Sequence, residues 1–187
     1  GPYLQGIINE NNSLIPFNNY SKFKILTEQY IQNGLNKYII LRLSNVYGEP
    51  SKNSNINKLF INDLIKKAIE NKKFLKINSN ANTKRDFISS KVVATSIHQI
   101  IKKKQFLNQS IFNLTSSKTY TLLEFAEVIK KRLNKYFKKP FNIIYKKNDI
   151  VNDFTITNKK IISKGIKLKK NHYSEIDKII VFYKINL

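Results

Sequence analysis

Tyr20 and Lys24 stand four residues apart at the head of a stretch with helical periodicity, so both side chains fall on one face. An ammonium beside a phenol favours the phenolate and draws it toward the working range of a general acid–base. In a chain with ten tyrosines and 31 lysines, the same spacing also describes an aromatic residue packed beside a surface lysine. Arginine is rare: Arg42, Arg85 and Arg132 are the only three among 34 basic residues. A chain that otherwise uses lysine has kept arginine where a planar, forked donor is hard to replace. Arg42 lies in Leu41-Arg42-Leu43-Ser44-Asn45-Val46-Tyr47-Gly48, and Arg85 opens Arg85-Asp86-Phe87-Ile88. Arg42 reads as a structural ion pair at a strand, and Arg132 as part of a solvated helix face. His98 and His172 are far apart with no carboxylate cluster at ligand spacing, so no metal site is expected.

The elements that must position these residues alternate between helix and strand. Residues 3–19 are polar and Asn-rich, with Gly6 and Pro16, and read as a loop. Residues 20–33 read as a helix with Phe23, Leu26, Tyr30 and Ile31 on one face and Gly34 as its stop. Tyr38 to Leu43 reads as a buried strand, Ser44 to Asn55 as a loop, and Ile56 to Glu70 as a second helix. A short strand at Phe74–Ile77, a helix at Val92–Lys103 and a strand at Ser110–Leu114 follow. Thr121 and Glu124 form a capping box ahead of the next helix. Phe141–Tyr145 reads as a strand, Asn158–Ser163 as a short helix ended near Gly165, and Ser174 as the start of a last helix. The class is α/β.

Composition narrows the setting. The chain has 187 residues, enough for a real core, and no cysteine, which excludes disulfides and thiolate sites. No apolar run approaches the roughly 18 residues of a membrane span, so a cytoplasmic protein is expected and a membrane partner is not. The net charge of +22 invites a nucleic-acid reading. Lys, Asn and Ile rise together while Ala, Gly and Arg fall, as an AT-biased genome would produce. The lysines are spread rather than gathered with stacking aromatics, which disfavours nucleic acid and leaves an anionic small substrate. Gly1-Pro2 has the look of a cleaved-tag remnant and is set aside.

Taken in order, these motifs resemble the extended short-chain dehydrogenase/reductase family, in its NAD-dependent epimerase/dehydratase branch acting on nucleotide sugars. Tyr20 and Lys24 match its Tyr-x-x-x-Lys, and residues 41–49 match its Leu-Arg-x-x-Asn-Val-Tyr-Gly-Pro, with Glu49 ahead of Pro50 where the proline is expected. Arg85 to Ile88 match its Arg-Asp-Phe-Ile, and Phe112-Asn113-Leu114-Thr115 its Tyr-Asn-Ile-Gly-like strand. The resemblance implies that Tyr20 moves a proton at a sugar hydroxyl, while Lys24 holds the nicotinamide ribose of NAD or NADP. It implies that Ser44 to Tyr47 line the floor between nicotinamide and sugar: Ser44 and Val46 on the cofactor side, Asn45 and Tyr47 on the substrate side. Arg85 would pair with the diphosphate of a nucleotide-diphosphate sugar. Residues 1–50 would close a Rossmann-type dinucleotide-binding domain and carry the catalytic helix, and 51–187 would form mainly the substrate-binding domain. The implied activity is epimerase, dehydratase or reductase, of the kind used in surface polysaccharide synthesis, with a homodimer through helix 20–33.

The family also needs a glycine-rich turn for the cofactor pyrophosphate. The five glycines here, at 1, 6, 34, 48 and 165, do not form one, and Ser89-Ser90-Lys91 stands where the family's Val-Asp-Asp would follow. The expectation is a C-terminal portion that, alone, neither binds NAD(P) tightly nor turns over; saturable micromolar binding of NADH or NADPH to this chain would overturn it. The competing class is a naturally short, basic, non-catalytic module for an anionic ligand or nucleic acid. A start codon directly before Tyr3 would favour that module.

Overall fold

The computed structural model describes residues 5–51, 59–71, 73–103, 110–146, 153–169 and 171–187. Its elements are β1 (Gly6–Ile8), α1 (Asn19–Gly34), β2 (Ile39–Leu43), β3 (Asn45–Tyr47), α2 (Phe60–Glu70), β4 (Phe74–Ile77), β5 (Lys84–Ser89) and α3 (Ser90–Lys102). They continue with β6 (Ser110–Leu114), β7 (Thr119–Thr121), α4 (Leu122–Phe137), β8 (Asn142–Tyr145), β9 (Phe154–Ile156), α5 (Lys159–Ser163) and α6 (His172–Asn186). The first residues of the expected second helix, 56–58, lie outside the described residues.

Strands pair in parallel across helical crossovers, which is the α/β class expected. β2 runs beside β6, β3 beside β5, β4 beside β8 and β1 beside β9; β7 is antiparallel to β5. Helix starts follow capping chemistry. The Thr121 hydroxyl accepts the Glu124 amide at 3.0 Å, and the Glu124 carboxylate accepts the Thr121 amide at 2.7 Å, fixing where α4 begins. Asn18 and Ser21 form an equivalent box at the head of α1.

Two apolar cores lie on either side of the β3–β5 pair. Side chains alternate along a strand. Tyr47 and Phe87 therefore enter one core with α2, α4 and α6, while Val46 and Ile88 enter the other with Val92, Phe112 and Leu114. Gly48 follows at a close backbone approach, where an added Cβ would collide with the Ser90 side chain. β6, from beyond residue 50, lies in full register with β2 from before it, Ile39 opposite Ser110 through Leu43 opposite Leu114.

Three expectations need correction. The four residues expected on one face of α1 divide: Phe23, Leu26 and Tyr30 are exposed, while Ile31 turns inward with Ile25 and Glu28. β2 is half-buried rather than buried, because among the described residues it has β6 as its one bonded neighbour. Arg132 is not a solvated residue. Its Nε and Nη2 donate to the two carboxylate oxygens of Asp177, each at 2.6 Å, and its guanidinium lies 5.3 Å from the Tyr173 ring centre. That fork ties α4 to α6 and, through the hydrogen bond to Asp177, pushes the guanidinium pKa up.

Candidate active site

The polar network around Arg42 sets the level of everything else. Its Nη2 and Nε donate to the Glu28 carboxylate at 2.5 and 3.1 Å, and its Nη1 donates to the Glu10 carbonyl at 2.9 Å. The Glu10 carboxylate in turn accepts the Asn113 amide from β6 at 2.8 Å. Arg42 is thus the structural ion pair expected at this strand, joining loop, helix and sheet. Since α1 and β2 are consecutive and antiparallel, stepping back from Glu28 to Lys24 and forward from Arg42 to Ser44 moves toward the same end of the layer. Each step covers about 6 Å, at ~1.5 Å per helical and ~3.3 Å per strand residue. The start of α1 and the end of β2 therefore lie at one level.

Tyr20 and Lys24 are both exposed there, on the outer part of the first two turns, with Tyr20 at 69% of its free surface. The Lys24 ammonium lies 5.6 Å from the Tyr20 ring centre, a cation–π contact that holds the pair together. Ser44 sits between β2 and β3, and its Oγ is buried without a hydrogen-bond partner among the described residues. A buried hydroxyl without a partner carries a desolvation cost that an incoming polar group would relieve.

Asn45 is exposed, and its amide donates to the Asp86 carbonyl at 3.0 Å, stapling β3 to β5 beside Phe87. Val46 packs against the core that contains Ile88. Tyr47 departs from the expected floor position. It is 2% exposed, its ring packs on Phe125, and its hydroxyl lies 2.7 Å from Nδ1 of His172. Burial pushes its phenol well above the ordinary range, with the Glu175 carboxylate and Tyr120 adding to the shift, so it stays protonated. Alternation along β3 is the reason: with Val46 committed to one core, Tyr47 must enter the other.

Arg85 projects from the start of β5, exposed, opposite Tyr120 of β7, with Nη1 donating to the Lys84 carbonyl at 3.0 Å. Among the described residues no carboxylate pairs with it, which leaves the rest of its fork for another acceptor. The next residue, Asp86, is buried; Oδ1 accepts the Ser116 amide at 2.8 Å and Oδ2 has no partner among the described residues. His172 is the residue that sequence reasoning missed. It joins α6 to Tyr47 and packs edge-on against Tyr120 and Phe125. A lone histidine 125 residues from its partner gives no periodic signal.

Among the described residues no helix is long and apolar enough to cross a membrane, and no group of three or more His, Cys, Asp or Glu side chains is gathered to hold a metal. A family model described as the RmlD substrate binding domain matches residues 5–149. No curated protein matches the chain significantly. Among solved structures, UDP-glucuronic acid 4-epimerase from Bacillus cereus, in complex with UDP-glucuronic acid and NAD, superposes with a TM-score of 0.75 at 19% identity, over 100% of this chain and 59% of that one. RMD from Pseudomonas aeruginosa, complexed with NADPH, gives 0.77 at 14% identity over 96% and 60%. UDP-N-acetylglucosamine 4-epimerase from Methanobrevibacter ruminantium M1, in complex with UDP-N-acetylmuramic acid, gives 0.72 at 21% identity over 96% and 58%. The fold is that of these proteins, and the chain spans about three fifths of their length.

Proposed function

We propose, from the premise that this chain belongs to the RmlD substrate binding domain family, that it is the sugar-binding and proton-transferring part of an NAD(P)-dependent enzyme acting on a nucleotide-diphosphate sugar. The reaction class is epimerisation, dehydration or reduction, and supply of sugars for surface polysaccharide is the role it implies. The observation that supports this reading is the Glu28–Arg42 fork, which ties the helix of Tyr20 and Lys24 to the strand that leads into Ser44 and Asn45. Residues 1–50 then complete a dinucleotide-binding domain and 51–187 serve mainly the sugar nucleotide. The outer apolar face of α1, with Phe23 and Tyr30, serves a homodimer.

The residues present suit one end of the cofactor. Ser44 offers a buried hydroxyl in want of a partner, Lys24 an exposed ammonium, and Val46 an apolar neighbour. The glycine-rich turn for the pyrophosphate is not in this sequence. When bound, a nicotinamide supplies or accepts hydride. Tyr20 transfers a proton at the sugar hydroxyl, and Lys24, held over the Tyr20 ring, reaches for the nicotinamide ribose. Asn45, already anchored on the Asp86 carbonyl, presents its remaining polar atoms to the sugar. Arg85 clamps the diphosphate with its free donors, a task for which a guanidinium fork suits better than an ammonium.

Arg85→Lys tests the reading. Affinity for UDP-glucose, followed by NMR titration, is expected to fall about tenfold, the effect of losing one charge-assisted hydrogen bond. Unchanged affinity removes Arg85 from the diphosphate role.

A further inference from the structure

A cleft of about 460 Å³ opens between α3 and α6, at the opposite end of β5 from Arg85. Arg85 and Ser89 are four residues apart on that strand, about 13 Å at the usual strand rise. The volume is within the range of small-molecule sites, roughly 300–1,000 Å³.

Its walls are cationic. Lys91 enters from the first turn of α3, and Lys167 and Lys169 from the segment leading to α6. Among the described residues none of the three is paired with a carboxylate. The one acidic wall residue, Glu175, is buried and engaged by Lys178 at 3.2 Å. The frame is fixed rather than loose. Gln99 of α3 both donates to the Lys167 carbonyl, at 3.0 Å, and accepts the Lys167 amide, at 2.9 Å. Lys103 donates to the Gly165 carbonyl at 3.0 Å.

A second observation points to an acceptor as the ligand. Ser89, which caps α3 and lines the cleft, is 5% exposed. Its Oγ accepts the Val92 amide at 3.3 Å, yet among the described residues nothing takes the hydroxyl proton. A buried O–H with no acceptor is costly, and an anion in the cleft would satisfy it. The amino ends of α3 and α6, capped by Ser89 and Asn171, both border the space and favour negative charge there. Composition alone explains many lysines; it does not explain a buried serine hydroxyl that lines the same space and has no acceptor among the described residues.

We infer that this cleft binds a phosphoryl anion, either inorganic phosphate or the phosphate of a small phosphorylated metabolite, at a site separate from the one that Arg85 serves. Ser89 Oγ donates to a phosphoryl oxygen, and Lys91, Lys167 and Lys169 supply charge. The inference stands on this cleft and needs nothing from the proposed reaction.

The test is titration of the chain with inorganic phosphate and, separately, with glucose 1-phosphate, followed by ³¹P and amide NMR at low salt. Saturable binding below about 10 mM is expected, with shifts centred on residues 89–92 and 167–175. Tighter binding of glucose 1-phosphate identifies a metabolite site, and equal binding a phosphate site. The double variant K91Q/K169Q, with both side chains exposed, is expected to weaken binding about tenfold, while Ser89→Asp, which keeps a good cap and adds a like charge, should abolish it. Arg85→Gln should leave phosphate binding here unchanged. Shifts spread over the whole basic surface, or equal affinity in K91Q/K169Q with its circular dichroism intact, would overturn the inference. Loss of UDP-glucose binding in Arg85→Gln alone would leave the two sites distinguished.

Discussion

Tyr20→Phe is expected to lower turnover of a nucleotide sugar by about 10²–10⁴-fold, the usual worth of a positioned acid–base, once the chain is joined to a dinucleotide-binding half. The substitution removes one oxygen from a side chain that is 69% exposed and keeps the ring on which the Lys24 ammonium rests. Melting temperature and sugar-nucleotide affinity should therefore hold while kcat falls, which separates lost proton transfer from lost binding. Product formation followed under saturating substrate gives the answer. A fall of less than about tenfold would exclude Tyr20 as the proton carrier.

Arg42→Met should give the largest loss of stability among single changes near the site, about 2–4 kcal/mol. The Glu28 carboxylate, with 11% of its side chain exposed, would lose both guanidinium donors, and the Glu10 carbonyl would lose its partner. The double variant E28Q/R42M should recover part of that loss, because the stranded charge is gone. Urea unfolding monitored by circular dichroism measures both. A single-variant loss under about 0.5 kcal/mol would class the fork with weak surface pairs.

Where sequence and structure agree, the signal was local. The Thr121–Glu124 box marked the head of α4 because both partners lie within one turn. The short stretch Ser110–Leu114, with Ile111, Phe112 and Leu114, marked β6 at its observed bounds. Where they differ, the deciding contact was distant, the element was too short to show a period, or, as in β5, four consecutive buried residues leave no alternation to read. β1, β3, β7 and β9 have three residues each, less than two repeats of the strand alternation. α1 carries apolar residues on two faces, and the Glu28–Arg42 fork lies on the one that turns inward with Ile25 and Ile31. Arg132 finds Asp177, and Tyr47 finds His172, across 45 and 125 residues. At the candidate site the residue types and spacings were readable, but which of them face open space was not. Tyr47 shows this best, since the same motif that exposes Asn45 buries its neighbour but one.

The alternation along β3 and β5 also limits how the molecule can move. With Val46 and Ile88 locked into one close-packed core and Tyr47 and Phe87 into the other, the two layers cannot slide past each other without breaking both. Asn45 is stapled to that strand pair, whereas Tyr20 rides on α1, which buries none of its side chains fully. A sugar nucleotide bound as proposed would thus rest on a rigid base at Asn45 and meet its acid–base on a lightly held helix.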